Sequence, residues 1–187
     1  ILLAATGAGK SLVIADMCHK LNAPTLILCP SREILLQNYN KLLSYGVTDI
    51  SMYSASVNQK EISKYTYATI QSIYRKPELF KHFKYIILDE ADLLDSKNEF
   101  GMLTSFIKAI GCNSVCGLTA TPYRIVQKYT KDEYGNLFYT AHLKCITRIY
   151  PFFFRSIDYK IETQELIDMG YLSPIQYFAD NPDTSRL

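Results

Sequence analysis

Apolar runs of strand length alternate with segments of helical period along most of the chain. Residues 1–4 form the first apolar run, and residues 10–21 follow with a pattern that predicts a helix, which Asn22-Ala23-Pro24 ends. Residues 25–29 are the next predicted strand. Such alternation is typical of a parallel sheet covered by helices on both faces, so the pattern predicts an α/β domain.

A second helix is predicted after residue 31. Four apolar residues recur on one of its faces: Leu35, Tyr39, Leu42 and Leu43. Ser31 is the expected N-cap, and Gly46 stands where a left-handed residue commonly ends a helix.

The later elements are less evenly marked. Strands are predicted at residues 50–53, 67–69, 85–88 and 114–118. A helical stripe before Gly111 consists of Leu103, Phe106, Ile107 and Ile110. The tyrosine-rich stretch 123–154 has a turn signal at Tyr134-Gly135-Asn136 but no clean period, so its sequence places no helix or strand there. Alternation returns at residues 157–161, and a short helix is predicted over residues 163–169.

Size and charge limit the possible functions. The chain has 187 residues, of which 48% are hydrophobic, and this suits one globular domain with a sizeable core. Twenty Lys and Arg residues stand against 18 Asp and Glu, a formal charge of +2. That excess is too small to indicate a polyanionic partner by itself, so any nucleic-acid surface must be local.

The five cysteines form no C-x-x-C pair, and Cys29 and Cys116 lie within apolar, strand-like runs. We therefore expect buried free thiols and a reducing, cytoplasmic environment. No membrane association is expected, because no apolar run approaches the roughly 20 residues that a spanning helix needs.

Residues 4–11, A-A-T-G-A-G-K-S, lie between the first predicted strand and the first helix, the context that a phosphate-binding loop requires. The two glycines let backbone N–H groups converge on phosphate oxygens, and the helix N-terminus adds positive potential. Lys10 suits the β- and γ-phosphates and Ser11 suits Mg²⁺. The predicted nucleotide-binding residues are Thr6, Gly7, Ala8, Gly9, Lys10 and Ser11. The alternative is a glycine-rich turn with a solvated lysine.

An acidic turn, Asp89-Glu90-Ala91-Asp92, follows the strand at residues 85–88. Ligands of open α/β sheets collect at the carboxyl ends of strands. Asp89 would hold Mg²⁺, through water, and Glu90 would orient and deprotonate the water that attacks the γ-phosphate. The alternative is an acidic first helical turn that is merely solvated.

The phosphate loop, with alanine at its first position, and the D-E-A-D turn together resemble motifs I and II of superfamily 2 helicases and translocases. This resemblance implies a RecA-like P-loop domain that uses ATP and Mg²⁺, with Lys10, Asp89 and Glu90 as catalytic residues. Thr119-Ala120-Thr121-Pro122 resembles motif III, in which Thr119 or Thr121 would donate a hydrogen bond to Asp92 and couple the nucleotide to the nucleic acid. The alternative is an ordinary Thr/Pro strand exit.

Two shorter segments resemble the nucleic-acid-binding motifs of the superfamily. Residues 29–33 resemble motif Ia, in which Arg32 would contact a backbone phosphate. Residues 67–72 resemble a later motif, in which Thr69 and Gln71 would hold the same strand. The alternatives are an ion pair of Arg32 with a nearby acid such as Glu33, and a helix N-cap at Thr69.

Two segments, the first of which contains motif III, indicate the branch of the superfamily. Motif III is T-A-T, where DEAD-box RNA helicases carry S-A-T, and neither their double-glycine motif nor their T-P-G-R stretch is present. Residues 118–124 and 166–174 instead resemble the DNA-directed branch that contains type I and type III restriction motors and repair helicases. DNA is therefore favoured over RNA as the partner.

The resemblance predicts that residues 1–178 are the first RecA-like domain, shortened in its N-terminal strand region, and that residues 179–187 begin a linker to a second one. The chain is thus expected to be a fragment with weak or no ATPase activity by itself, because a second domain brings arginines worth roughly 10³–10⁵ in rate.

Two other functions remain open. A nucleotide-gated nucleic-acid-binding or scaffold module would not turn ATP over, and the carboxylate of Glu90 weighs against it. A small-molecule kinase would need an acceptor site in place of the surface formed by Arg32, Thr69 and Thr121.

Overall fold

The computed structural model describes residues 1–93, 97–149 and 154–174, and only the backbone of residues 97–100. The end of the predicted domain at residues 175–178 and the predicted linker at residues 179–187 lie outside the described residues.

The strands in chain order are β1 (Leu2–Ala4), β2 (Thr25–Leu28), β3 (Ile50–Ser54), β4 (Gln59–Lys60), β5 (Tyr65–Ala68), β6 (Tyr85–Leu88), β7 (Val115–Thr119), β8 (Tyr123–Lys131), β9 (Leu137–Cys145) and β10 (Tyr159–Ile161). The helices are α1 (Lys10–Leu21), α2 (Arg32–Ser44), α3 (Ile70–Ile73), α4 (Lys97–Ile110), α5 (Ile146–Ile149) and α6 (Thr163–Asp168), with 3-10 turns at Ala55–Val57 and Pro77–Phe80. Among the helices of the described residues, none combines the length and the apolarity that crossing a membrane requires.

Eight strands form one sheet in the order β10-β1-β7-β6-β2-β5-β3-β4. All neighbours are parallel except β4, which pairs antiparallel with β3. The predicted α/β class with a mostly parallel sheet is therefore confirmed. Parallel strands share one carboxyl edge, so the segments that follow β1, β2, β6 and β7 all emerge on the same side of the domain.

The central strands are buried on both faces, because helices cover each side of the sheet. Along β2, Leu26 and Leu28 pack into one core cluster, while Ile27 between them packs into the other. Helices α1 and α2 cover the Ile27 face, and α3 and α4 cover the opposite face. Each large apolar side chain buried in this way contributes about 1.5–3 kcal/mol.

Helix α2 begins and ends as predicted but presents a different face. The backbone N–H of Ile34 donates to the Ser31 hydroxyl at 3.4 Å, and Gly46 adopts a left-handed φ of 83°. The expected burial of Leu43 was wrong, since 43% of its surface is exposed. Asn38 is buried on that helix instead, with 7% of its surface exposed.

The cysteine prediction holds in part. All five are free thiols, and Cys18, Cys29 and Cys112 are buried. Cys116 and Cys145 are only half-buried, which corrects the expectation of complete burial. Burial raises the pKa of Cys18 to about 12, so this thiol is inert at neutral pH.

The tyrosine-rich stretch without a predicted element contains a two-stranded antiparallel ribbon, β8 and β9, separate from the main sheet. Its turn is closed by the Asp132 carboxylate, which accepts from the backbone N–H groups of Tyr134 at 2.9 Å and Asn136 at 2.8 Å. Gly135 supplies the left-handed φ of 83° that the turn requires. The turn signal was therefore correct, while the two strands were missed.

Candidate nucleotide site

The glycine-rich loop joins β1 to α1 at the carboxyl edge of the sheet. Gly7 and Gly9 have φ values of 84° and 81°, a region that costs glycine little and other residues about 1–2 kcal/mol. A Cβ at Gly7 would lie 3.1 Å from the Leu172 side chain. Gly9 is the N-cap of α1 without a side-chain cap, so the first N–H groups of the helix remain available to an anion.

The glycine-rich loop and the acidic turn meet directly. The Lys10 ammonium lies 3.1 Å from the Glu90 Oε1, and both side chains are largely buried, with 13% and 26% of their surfaces exposed. Because β7 alone separates β1 from β6, the segments after those two strands come within side-chain reach. An anion that entered the loop would compete with Glu90 for the Lys10 charge.

A buried asparagine connects the two predicted metal ligands. The Ser11 hydroxyl donates to Asn38 Oδ1 at 2.9 Å, and Asn38 Nδ2 donates to Asp89 Oδ2. The Ser11 oxygen, having given its proton to the amide, keeps its lone pairs for a cation. Asn38 thus orients both oxygens from α2, the helix whose first residue, Arg32, is predicted to contact a nucleic-acid phosphate.

The charge of Asp89 is poorly compensated in the described residues. Burial, with 2% of its surface exposed, and then the neighbouring Glu90 charge together raise the pKa of this carboxyl to about 6, against the opposing effect of Lys10. A divalent cation at this position would stabilise the ionised form. A serine hydroxyl and a carboxylate beside a phosphate loop therefore fit Mg²⁺ bound with a nucleoside triphosphate.

Glu90 is held in a strained conformation with a left-handed φ of 47°, which costs a non-glycine residue about 1–2 kcal/mol. Its neighbours fix the turn to the adjacent strands. The Asp89 N–H donates to the Leu28 carbonyl at 2.9 Å, and the Ala91 N–H donates to the Leu118 carbonyl at 2.8 Å. The carboxylate direction is therefore set by β2 and β7.

Asp92 binds both hydroxyls of the threonine turn. Thr119 Oγ1 donates to Asp92 Oδ1 at 2.5 Å, and Thr121 Oγ1 donates to Asp92 Oδ2 at 2.7 Å. The Thr121 N–H also donates to Thr119 Oγ1 at 3.0 Å, which closes the group. The sequence predicted one such bond, and the structure contains both.

Comparison with known proteins places this site in a family. The model of the family described as "Type III restriction enzyme, res subunit" matches residues 1–124, which contain the glycine-rich loop, the acidic turn and the threonine turn. The chain belongs to this family. Membership of the res-subunit family confirms the resemblance to a first RecA-like domain of superfamily 2.

A relative in African swine fever virus, named as an ATP-dependent RNA helicase, is 30% identical over 124 residues. That match covers 63% of the chain but 24% of the relative, so the chain spans about a quarter of the length of the curated relatives it matches.

Two solved structures are similar in fold. A hypothetical ATP-dependent RNA helicase from Sulfolobus tokodaii has a TM-score of 0.60 at 18% identity, covering 85% of this chain and 46% of that one. The UvsW helicase from bacteriophage T4 has a TM-score of 0.56 at 21% identity, and the match covers 65% of this chain and 46% of that one. Both likenesses support the RecA-like fold.

The predicted nucleic-acid residues lie along the same edge but differ in exposure. Arg32 is exposed in the first turn of α2, and Gln71 is exposed in α3. Thr69 is 7% exposed, and its hydroxyl is 2.9 Å from the Ser72 hydroxyl. Thr69 occupies the N-cap position of α3, yet its side chain forms no capping bond.

Sequence reasoning missed Asn38 and assigned no contact to Leu172. A signal existed for Asn38, because residue 38 lies between Leu35 and Leu42 on the apolar face of α2, where an uncharged polar side chain needs a buried partner. No comparable signal connects Leu172 to Gly7, since that contact depends on where the chain returns after the ribbon.

Proposed function

We propose that this domain binds and hydrolyses ATP as the first motor domain of a nucleic-acid helicase or translocase, with DNA as the favoured substrate. The observation that carries the proposal is the Lys10–Glu90 contact of 3.1 Å at the edge where Ser11, Asn38 and Asp89 form one hydrogen-bonded chain. Membership of the res-subunit family supports it.

The Lys10–Glu90 ion pair gives the first step of the proposed hydrolysis. Lys10 would exchange the Glu90 carboxylate for oxygens of the β- and γ-phosphates, which the loop N–H groups also bind. Glu90, released from its ion pair and directed by its strained backbone, would then accept a proton from the attacking water. Ser11 and Asp89 would hold Mg²⁺, which stabilises negative charge on the transferring phosphoryl group.

The threonine turn would carry the state of this site to the nucleic acid. Asp92 is two residues from Glu90 and accepts from both Thr119 and Thr121, so a shift of the acidic turn displaces the exit of β7. Arg32 and Gln71 are exposed along the same edge and would contact the strand backbone, with Thr69 beside them.

The preference for DNA depends on the segments 118–124 and 166–174 and on the type III restriction family. The African swine fever virus relative is named as an RNA helicase, which makes the choice of nucleic acid part of the test. We further propose that a second RecA-like domain completes the site with an arginine.

The test compares wild-type complete protein with Glu90→Gln, using exposed Glu165→Gln as a matched control. ATPase rates are measured alone and with single-stranded DNA, duplex DNA or RNA, and a fluorescent ATP analogue reports binding. We expect Glu90→Gln to bind the nucleotide and lose turnover, Glu165→Gln to match the wild type, and DNA to stimulate most. A wild type that binds ATP without turnover would indicate a nucleotide-gated module, and equal rates for Glu90→Gln and the wild type would exclude Glu90 as the base.

A further inference from the structure

The β8–β9 ribbon projects from the threonine turn and returns to it. β8 begins at Tyr123, next to Pro122, and the first residue after β9 closes the root, because the Ile146 N–H donates to the Pro122 carbonyl at 2.7 Å. The strands pair over nine positions each, from Tyr123 opposite Cys145 to Lys131 opposite Leu137. The two strands form a sheet of their own.

One face of the ribbon is apolar and open to solvent. Residues opposite each other across an antiparallel pair share a face, and alternate residues along each strand return to it. This face, here called the tyrosine face, contains six residues with 53–71% of their surfaces exposed: Tyr123, Ile125, Tyr129, Leu137, Tyr139 and Leu143. A cluster of exposed apolar side chains on one face marks an interaction site.

The opposite face is basic. It contains Arg124 and Lys128 on β8, with His142 and Lys144 on β9. Counting Lys131, the two strands hold four of the chain's 20 Lys and Arg and none of its 18 Asp and Glu, so the remaining residues carry two more acids than bases. The net positive charge of the chain is therefore concentrated on these strands. The two acidic residues of the ribbon, Asp132 and Glu133, lie in the turn between the strands.

This combination favours a nucleic-acid occupant over a protein. Lysine is depleted at protein–protein interfaces, whereas proteins that bind single strands combine cations with aromatic rings on which bases stack. Tyr129 and Tyr139 lie opposite each other with ring centroids 6.3 Å apart and planes inclined by 57°. Both rings are more than 60% exposed, so each offers a surface to a base.

We propose that the β8–β9 ribbon is a single-strand-binding arm, in which bases stack on Tyr129 and Tyr139 and Lys131 on the same face contacts the phosphates, while Lys128 and Lys144 on the opposite face attract the strand through their charge. The inference rests on the proposed function, because it assigns a further contact surface to the same nucleic-acid substrate. Tyr129, Tyr139 and the three lysines lie outside the motif segments described above.

The root of the arm lies beside the coupling group of the nucleotide site. Partial burial lowers the pKa of Arg124, and the Asp92 carboxylate opposes this change, which indicates that the guanidinium lies within electrostatic reach of Asp92. Asp92 is the acceptor for both threonines of the turn. A strand held by the arm would therefore act on a segment connected to Glu90.

The experiment measures the anisotropy of fluorescein-labelled 20-nucleotide dT and U oligomers with the complete protein. Replacing both tyrosines with alanine (Tyr129→Ala with Tyr139→Ala) should weaken binding roughly five- to a hundredfold for each ring that stacks. The matched phenylalanine pair keeps the rings and should bind like the wild type. Lys128→Gln with Lys144→Gln should reduce the slope of log affinity against log salt by about 0.7 for each phosphate that is no longer neutralised.

Binding of a fluorescent ATP analogue separates this inference from the proposed function, because the substituted side chains are exposed and belong to neither the glycine-rich loop nor the acidic turn. The single-strand-binding proposal is wrong if the alanine pair binds the oligomers with wild-type affinity and the lysine pair keeps the wild-type salt slope. The ATPase proposal would not be affected by that result. Equal losses in the alanine and phenylalanine pairs would also overturn stacking. Another double variant, Ile125→Ser with Leu143→Ser, tests for a protein partner. If it changes the oligomeric state while the alanine pair binds the oligomers like the wild type, the tyrosine face binds protein instead.

Discussion

Asp89→Asn should stabilise the ligand-free domain, because Asp89 is a buried carboxylate whose charge the fold does not fully compensate. Its pKa is raised from 3.8 to about 6, first by burial and then by the charge of Glu90. A difference of about two pKa units corresponds to about 3 kcal/mol of unfolding free energy. The substituted side chain would still offer an oxygen to the Asn38 amide.

The raised pKa of Asp89 determines how the unfolding free energy of the wild type changes with pH. Below about pH 3.8 the carboxyl is protonated in both the folded and the unfolded protein, so its charge has no effect on stability. Between 3.8 and about 6 the folded state binds more protons than the unfolded one, so wild-type stability decreases as the pH rises. Above about pH 6 the destabilisation is complete.

Chemical unfolding in EDTA, followed by circular dichroism between pH 4 and pH 8, measures the effect. The wild type and Asp89→Asn should have similar stability near pH 4 and differ by about 3 kcal/mol at pH 8, which corresponds to about 6–12 °C in Tm. Asp16→Asn is the matched control, because it removes the same charge from the exposed surface of α1. Its stability should change by less than about 1 kcal/mol.

A constant difference between the wild type and Asp89→Asn across this pH range would refute the reasoning, because it would show that ionisation of Asp89 is not the cause. Lower stability of Asp89→Asn at pH 8 would refute it as well. Saturating Mg²⁺ and ATP should reverse the order, because they bind the folded wild type and stabilise it.

The other predictions concern the nucleotide site and its coupling. Asn38→Ala should weaken the Mg²⁺-dependent part of nucleotide affinity by roughly 10- to 100-fold, measured by fluorescence titration with and without Mg²⁺, whereas the exposed control Asn40→Ala should not. Thr121→Val should reduce the stimulation of ATPase by single-stranded DNA, because it removes one of the two bonds to Asp92; unchanged stimulation would exclude the coupling role. Gly9→Ala should lower the unfolding free energy by about 1 kcal/mol in a denaturant titration, because its φ is 81°.

The elements near the nucleotide site were predictable because local signals mark them. Helix α1 runs from Lys10 to Leu21 as predicted, since the glycine turn sets its start and Asn22-Ala23-Pro24 its end. β6 is a continuous apolar run that burial on both faces requires. The meeting of Lys10 and Glu90 follows from the parallel sheet, whose loops share one edge.

The remaining features depend on contacts that local patterns do not encode. Apolar and polar residues alternate only in part along the ribbon, because Val126 and Phe138 lie on its basic face and Gln127 and Lys131 lie on its tyrosine face, so no clean strand period marks it. Leu43 fits the helical period of α2 but is exposed. The buried face of the helix contains Asn38 instead, because Asn38 is hydrogen-bonded to Ser11 and Asp89. The strain at Glu90 is set by β2 and β7, which are distant in sequence.

Calorimetric titration of ATP in Mg²⁺ most directly tests the central claim, that the glycine-rich loop and the acidic turn form one triphosphate site. The comparison uses the wild type, Lys10→Ala and Lys20→Ala, in which the control removes an exposed lysine from the same helix. The account predicts that Lys10→Ala loses most of its affinity for ATP while Lys20→Ala binds like the wild type. Equal affinity in all three proteins would contradict it.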